Sequence, residues 1–304
     1  MDGLLNVLKP PGMSSHDVVN SIRRLVKGRK VGHTGTLDPG AAGVLLVCCG
    51  RAARLIEYLD HDKGYRAEIT FGAVSSTGDS YGEISEREIP GDFTRDRVEG
   101  LLPSFLGTIS QVPPMTSAVR HQGKKLYELA RRGKVVDRPP RMVKIKSLKL
   151  ARWYDGPGRP RAILDIECSA GTYIRTLCHD MGEKLGCGAY MSFLLRTRVG
   201  PYHVNDSFTL EELGGLAERG NLLQAVVDME RAVSFMTTVL VREEAVKSVS
   251  SGATLYPPGV KEGPEEIGRG ELVAIKDGVG LLAVAEAFAD ESGRLCYRPL
   301  KVLR

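Results

Sequence analysis

Six consecutive apolar residues, Val44-Leu45-Leu46-Val47-Cys48-Cys49, constrain this chain more than any other feature. A run of strand length with no polar position reads as a strand buried on both faces, so it belongs inside a sheet with cover above and below. It follows a loop in which Gly32, Gly35, Gly40 and Gly43 let the backbone turn tightly and approach other groups closely. The stretch from Lys30 to Leu46 holds one carboxylate, Asp38. Pro39 follows it and pushes it out of the helical region into an extended conformation. A lone acid on a stiffened loop beside a buried strand suits a nucleophile or base. The same spacing also suits a turn aspartate that caps its own loop.

At 304 residues the chain has room for about two domains. Its 42% hydrophobic and 26% charged content is ordinary for a soluble globular protein. No apolar run reaches the roughly 18 residues of a membrane span. The opening MDGLLNVLKPPG lacks the basic leader and apolar core of a secretory signal. The cysteines Cys48, Cys49, Cys168, Cys178, Cys187 and Cys296 form no C-x-x-C pair, which disfavours a zinc ribbon or a dithiol and fits a reducing cytoplasm. The net charge of +5 is unevenly spread. Met115 to Leu150 carries 11 Lys and Arg against two acids, Glu128 and Asp137, leaving 31 basic and 35 acidic residues elsewhere. One basic segment in an otherwise slightly acidic chain is a footprint for phosphates.

In chain order, Leu4 to Leu8 reads as a strand, and Ser14 or Ser15 can cap a helix with Val18, Val19, Ile22, Leu25 and Val26 inward. Arg51 to Leu59 reads as a short helix. Tyr65 to Phe71 alternates, with Tyr65, Ala67, Ile69 and Phe71 on one face. Ser75 to Gly91 reads as a connection, and Thr94 as the cap of a helix that Pro103 ends or kinks. Gly123 to Gly133 reads as a short, exposed basic helix. Lys144 to Tyr154, Ala162 to Cys168 and Ala189 to Val199 read as strands, and Leu210 to Asp228 as two short helices. Thr172 is the expected N-cap of a helix whose buried face is Ile174, Leu177, Cys178, Met181 and Leu185. That register puts Arg175 in the first turn, where a cation is unfavourable against the positive helix end. A carboxylate in a cleft would compensate it, and Asp38 is the natural partner. Beyond a boundary near Met229 to Thr238 the chain is β-like, with short strands and Gly-rich turns suited to a small barrel or sandwich.

Several stretches together resemble the TruB-type tRNA pseudouridine-55 synthases of bacteria. They are Leu8-Lys9-Pro10-Pro11-Gly12-Met13-Ser14-Ser15, Val31-Gly32-His33-Thr34-Gly35-Thr36-Leu37-Asp38-Pro39, Lys63-Gly64-Tyr65-Arg66 and Gln111-Val112-Pro113-Pro114-Met115. Gly123 to Arg131 and Gly171-Thr172-Tyr173-Ile174-Arg175-Thr176 complete the set. The resemblance implies an α+β fold with a mixed, largely antiparallel central sheet flanked by helices. It places a catalytic domain at 1–232, with a basic RNA-closing insertion at 115–150, and a small β-rich PUA-like RNA-binding domain at 236–304. Thr116 stands where a tyrosine is usual, and Arg120 where a lysine is usual.

The activity so implied is isomerisation of uridine to pseudouridine at position 55 in the T-loop of tRNA. The N1–C1′ bond breaks, the base rotates and C5 joins C1′, with no redox change, so no cofactor and no metal are expected. By the resemblance Asp38 is the catalytic carboxylate, Arg175 its ion partner, and Tyr65 the ring that stacks on the target base and helps remove the C5 proton. Leu194 is the apolar wall beside the base. His33 fills the space that the flipped nucleotide leaves. Lys9, Lys124, Lys125, Arg131 and Arg132 are expected on the RNA. The expected partner is the tRNA T-stem-loop, met by a cytoplasmic monomer with no obligatory protein partner. The rivals are a non-catalytic RNA-binding or tRNA-folding protein, a guide-dependent ribosomal RNA synthase, and a metal-dependent hydrolase using His33 and Asp38.

Overall fold

The structure, a computed structural model, describes residues 1–117, 119–130 and 132–304. The apolar run forms the strand Ala42–Cys49, every residue of which is buried. It lies between Gly3–Lys9, its antiparallel neighbour, and Ala189–Val199, which it meets in parallel at Leu195↔Ala42 and Arg196↔Gly43. From there the sheet continues through Lys63–Phe71, Arg161–Cys168, Arg141–Tyr154 and Gly107–Gln111, all antiparallel. The sheet is therefore mixed but largely antiparallel, as expected. The parallel junction is where the loop that carries Asp38 enters the sheet. Gly43 sits there at φ +112°, and a Cβ would come within 2.2 Å of the Arg196 carbonyl oxygen, so only glycine fits.

Helices cover the sheet and explain its burial. Ser14 caps Ser15–Leu25 in a capping box with Asp17, and Val18, Val19 and Ile22 pack with Leu5, Val7, Leu45 and Val47. The helix Ile174–Leu185 packs Leu177, Cys178, Met181 and Leu185 against Ala67, Ile69 and Phe71. Gly186 in the left-handed conformation ends it. All six cysteines are buried free thiols. Among the described residues no helix is long and apolar enough to cross a membrane.

Several local expectations shift. The helix N-cap is Tyr173, one residue after Thr172. The Thr172 hydroxyl instead donates to the Ser169 carbonyl, while the Gln111 amide pairs with both backbone groups of Tyr173. Gly50–Arg54 and Ile56–Tyr58 are 3₁₀ turns, not one helix. The stretch after Ala73 is a small hairpin, Ala73–Ser75 with Ile84–Glu86. Leu210–Glu218 is a helix, but Leu222–Ala225 is a 3₁₀ turn leading to an edge strand. In the basic segment, Arg120–His121 and Lys124–Lys125 form a hairpin, because Gln122 and Gly123 both adopt positive φ. Among the described residues of this segment only Leu126–Ala130 is helical, and Leu126 and Leu129 are buried, so this helix is anchored to the protein.

The C-terminal part is a five-stranded sheet in the order Val260–Glu262, Thr237–Val241, Leu272–Lys276, Leu281–Ala289, Leu295–Val302. It does not hang free. Ala274, Leu281, Val284 and Leu303 share a core with Leu4, Leu46 and Cys48, so the buried central strand also seats this small β domain.

Candidate active site

Three elements hold the loop around Asp38. The buried Ser15 hydroxyl accepts from the Leu37 amide at 2.8 Å and bonds the Leu37 carbonyl at 3.0 Å. Lys9, with no exposed surface, donates to the carbonyls of Met13, Pro10 and Pro39 at 2.6, 2.8 and 3.1 Å. Arg196, also fully buried, donates to the carbonyls of Val44 at 2.7 Å and Gly35 at 3.0 Å. The residues on either side of Asp38 are thus fixed from the first strand, the first helix and the Ala189–Val199 strand. The largely exposed Tyr81 ring lies over Gly40, where a Cβ would come within 2.0 Å of it.

Arg175 meets Asp38 as the helix argument requires. Its Nε lies 3.0 Å from Oδ2, and its Nη2 lies 3.4 Å from Oδ1. Arg175 is 5% exposed, whereas 35% of the Asp38 side chain faces the adjoining cavity. Arg175 also donates to the Thr77 carbonyl at 2.9 Å, and Asp79 stands 3.8 Å away. Burial pushes the Asp38 carboxyl above the usual carboxylate range. The Arg175 guanidinium and, more weakly, the Lys9 ammonium pull it down, and Asp79 opposes them. The ion pair is what makes an ionised carboxylate tolerable in this recess.

The cavity beside the pair measures about 400 Å³, large enough for a nucleoside-sized ligand. Asp38, Tyr65, Arg175 and Leu194 all line it. Tyr65 is 7% exposed, and burial raises its phenol pKa, with the Arg196 charge pulling the other way. The phenol keeps its proton near neutral pH, so its ring face is better suited to stacking than its oxygen is to taking a proton. Lys63 lines the cavity too, and burial, helped by Arg196, lowers its ammonium to about 8.

His33 does not line this cavity. It is half-buried, its Nδ1 accepts from the Gly35 amide at 3.2 Å, and burial lowers its pKa, so the ring is neutral at pH 7. Lys124 and Arg132 are exposed and Lys125 is half-buried, open to a partner from solvent. Arg131 lies outside the described residues. Lys9 corrects the sequence reading. Expected on the RNA, it is sealed inside, because its ammonium satisfies three loop carbonyls. Arg196, Lys63 and Asp79 were not singled out from the sequence. Only the charge of Arg196 directly after Phe193-Leu194-Leu195 hinted at one of them. Among the described residues no three His, Cys, Asp or Glu side chains converge as a metal site would require.

Comparison with known proteins covers the whole chain. The profile of the TruB family pseudouridylate synthase N-terminal domain matches residues 23–174. That of the tRNA pseudouridylate synthase B C-terminal domain matches residues 175–234, and that of the PUA domain residues 237–291. The tRNA pseudouridine synthase B of Pelotomaculum thermopropionicum is 53% identical, covering 100% of this chain and 97% of its own. That of Moorella thermoacetica is 45% identical, covering 99% of both. A crystal structure of a Cbf5-Nop10-Gar1 complex contains a chain of similar fold, with TM-score 0.76 and 31% identity over 99% of this chain and 85% of that one. A structure of an H/ACA RNP bound to a substrate RNA containing 2'-deoxyuridine gives TM-score 0.75 and 29% identity over the same shares.

Proposed function

This chain belongs to the TruB family of pseudouridylate synthases, and we propose that it isomerises uridine 55 in the T-loop of tRNA, with Asp38 as the group that carries the chemistry. The activity is that of a tRNA pseudouridine synthase, an isomerase with a C-terminal PUA domain. The observation that carries the assignment to Asp38 is its ion pair with Arg175, 3.0 Å apart, at the wall of a cavity of about 400 Å³.

The reaction cleaves the N1–C1′ bond, turns the detached uracil and joins its C5 to C1′; the C5 proton leaves to solvent, and N1, freed of the sugar, takes up one proton. Electrons balance without a redox partner. Asp38, kept ionised by Arg175, acts on the nucleoside, and a nucleotide filling the cavity takes the space from which water would attack C1′ in place of C5. The Tyr65 ring stacks on uracil and Leu194 closes the other side of the cavity. A uridine in a folded loop reaches this site only by flipping out, at a cost of a few kcal/mol in lost stacking. A neutral, half-buried His33 ring at the end of the strand Val31–His33, just before the Asp38 loop, is suited to refill that gap.

The rest of the RNA surface is assigned to Lys124, Lys125, Arg131 and Arg132 of the 115–150 insertion and to the module at 236–304. The catalytic unit is 1–232. The chain's own basic segment supports a stand-alone enzyme that reaches tRNA without a guide RNA or an obligatory protein partner, and a cytoplasmic monomer is the form proposed for it.

The test is incubation with unmodified tRNA and mapping of pseudouridine. The wild-type protein modifies the T-loop uridine, and Asp38→Asn binds the tRNA but makes no product. Product from the Asp38→Asn protein would overturn the assignment.

A further inference from the structure

Arg175 carries five N–H donors, and the four on its two Nη atoms are all hydrogen-bonded. Nε lies 3.0 Å from Asp38 Oδ2 as an ion-pair contact, and one Nη2 hydrogen goes to Asp38 Oδ1 at 3.4 Å. One Nη1 hydrogen goes to the Thr77 carbonyl at 2.9 Å. The last two are taken by a single residue. The Thr116 hydroxyl accepts from Nη1, and the Thr116 carbonyl accepts from Nη2 at 3.2 Å. Nothing in the helix Ile174–Leu185 fixes the rotation of this guanidinium; its acceptors come from the Asp38 loop, the Thr77 turn and Thr116. The two Thr116 bonds bear on both Nη atoms, so they set the plane in which Nε and Nη2 face Asp38.

Thr116 also opens the basic segment. Its neighbour Ser117 is 3% exposed and lines the same cavity, and the Ser117 hydroxyl finds no partner among the described residues. Val119 and Arg141 line the cavity as well. The start of the segment is therefore packed into the catalytic centre. At this position the chain has threonine where tyrosine is usual in the family, and a phenol oxygen would sit several ångströms farther from the backbone than this hydroxyl does.

We propose that Thr116 is a positioning residue for the isomerisation, its hydroxyl and carbonyl clasping Arg175 in the orientation that serves Asp38. The role rests on the assignment of Asp38 made above. It predicts an effect on the chemical step and not on RNA affinity, since Thr116 presents no charge to phosphate.

Thr116→Val keeps the shape and the carbonyl and removes the acceptor; Thr116→Ser restores it. Single-turnover tritium release from tRNA labelled at uridine C5 should slow by about tenfold in Thr116→Val, the scale of one hydrogen bond to a charged group. The tRNA Kd should be unchanged, and Thr116→Ser should recover most of the rate. The acid limb of the rate profile should move to higher pH. The groups facing Asp38 are Arg175 from the helix, Asp79 from the Thr77 turn and Lys9 from the first strand, with Lys63 and Tyr65 in the same cavity, and only the hold on Arg175 has changed. Because Thr116 acts through Arg175, adding Thr116→Val to Arg175→Met should cost nothing further. Asp38→Asn in the same series separates the two claims. An active Asp38→Asn protein sinks the Asp38 assignment and this role with it. An inert one beside an unimpaired Thr116→Val protein sinks the role of Thr116 alone, as does a Thr116→Val defect that appears only in Kd or that serine fails to rescue.

Discussion

Replacing Arg175 by methionine preserves length and removes the guanidinium. In the wild-type protein Asp38 has one short ion contact, 3.0 Å from Nε, and one long hydrogen bond, 3.4 Å from Nη2. A hydrogen bond between charged groups contributes about 1.5–3 kcal/mol, so loss of this hydrogen-bonded ion pair predicts a rate reduced by about 10- to 100-fold at a pH where Asp38 stays ionised. The deficit should grow toward acid. Burial already raises the Asp38 carboxyl, and Arg175 is the largest influence opposing it. Without that charge the carboxyl rises further, so the ionised form is lost at a higher pH, and the acid limb shifts upward. Breaking a buried pair costs about 3–5 kcal/mol of stability when both charges are sealed. Here a third of the Asp38 side chain faces the cavity and can be hydrated, so the cost belongs at or below the low end of that range. The assay is single-turnover tritium release from C5-labelled tRNA across pH, with circular dichroism to confirm folding. A folded Arg175→Met protein with an unmoved acid limb and a rate within about threefold of wild type would refute the reasoning.

Other expectations follow from charges in and around the cavity. Lys63 is cationic below about 8 and neutral above it, so tRNA affinity should weaken as pH rises through about 8, and Lys63→Gln should remove that step in titrations. The same depressed pKa means that the unfolded chain holds this proton more tightly between about 8 and the ordinary 10.5. Lys63→Met should therefore raise thermal stability at pH 7, and the gain should fade as pH climbs through that window. Arg196→Met strands the carbonyls of Gly35 and Val44 inside the protein, and each unpaired group costs about 1–3 kcal/mol; melting should fall by several degrees, and an unchanged midpoint would count against the scaffold role. Neutralising Lys124, Lys125, Arg131 and Arg132 should flatten the salt dependence of tRNA binding by about 0.7–0.9 for each phosphate that no longer meets a cation, and an unchanged slope would exclude the segment from the RNA surface.

The elements legible in the sequence were those whose physics is local. The six-residue apolar run could only be an interior strand, the Tyr65 to Phe71 alternation only a strand with one buried face, and Ser14 and Thr94 cap the helices they precede. Where a local signal met a tertiary competitor, the competitor won. Thr172 looks like a cap until Ser169 engages its hydroxyl and Gln111 takes the backbone of Tyr173. Gly123 to Gly133 looks like a basic helix until the positive φ at Gln122 and Gly123 folds its start into a hairpin.

The site divides in the same way. A cation in the first turn of a helix is a local misfit, so Arg175 could be paired with Asp38 across 137 residues of sequence before any distance was known. No local pattern distinguishes a lysine that meets solvent from one that meets three carbonyls, and Lys9 was misplaced for that reason. Arg196, Asp79 and Thr116 gain their roles from the packing of the Ala189–Val199 strand, the Thr77 turn and the basic segment around one loop. Sequence alone determined which strand is buried and which cation needs a counter-charge, and it pointed to the lone acid of a glycine-rich loop, because those follow from neighbours along the chain. Folding decided which buried cations hold the loop and which residue orients the guanidinium, because a desolvated charge takes its partners from whatever the tertiary packing brings within about 3 Å.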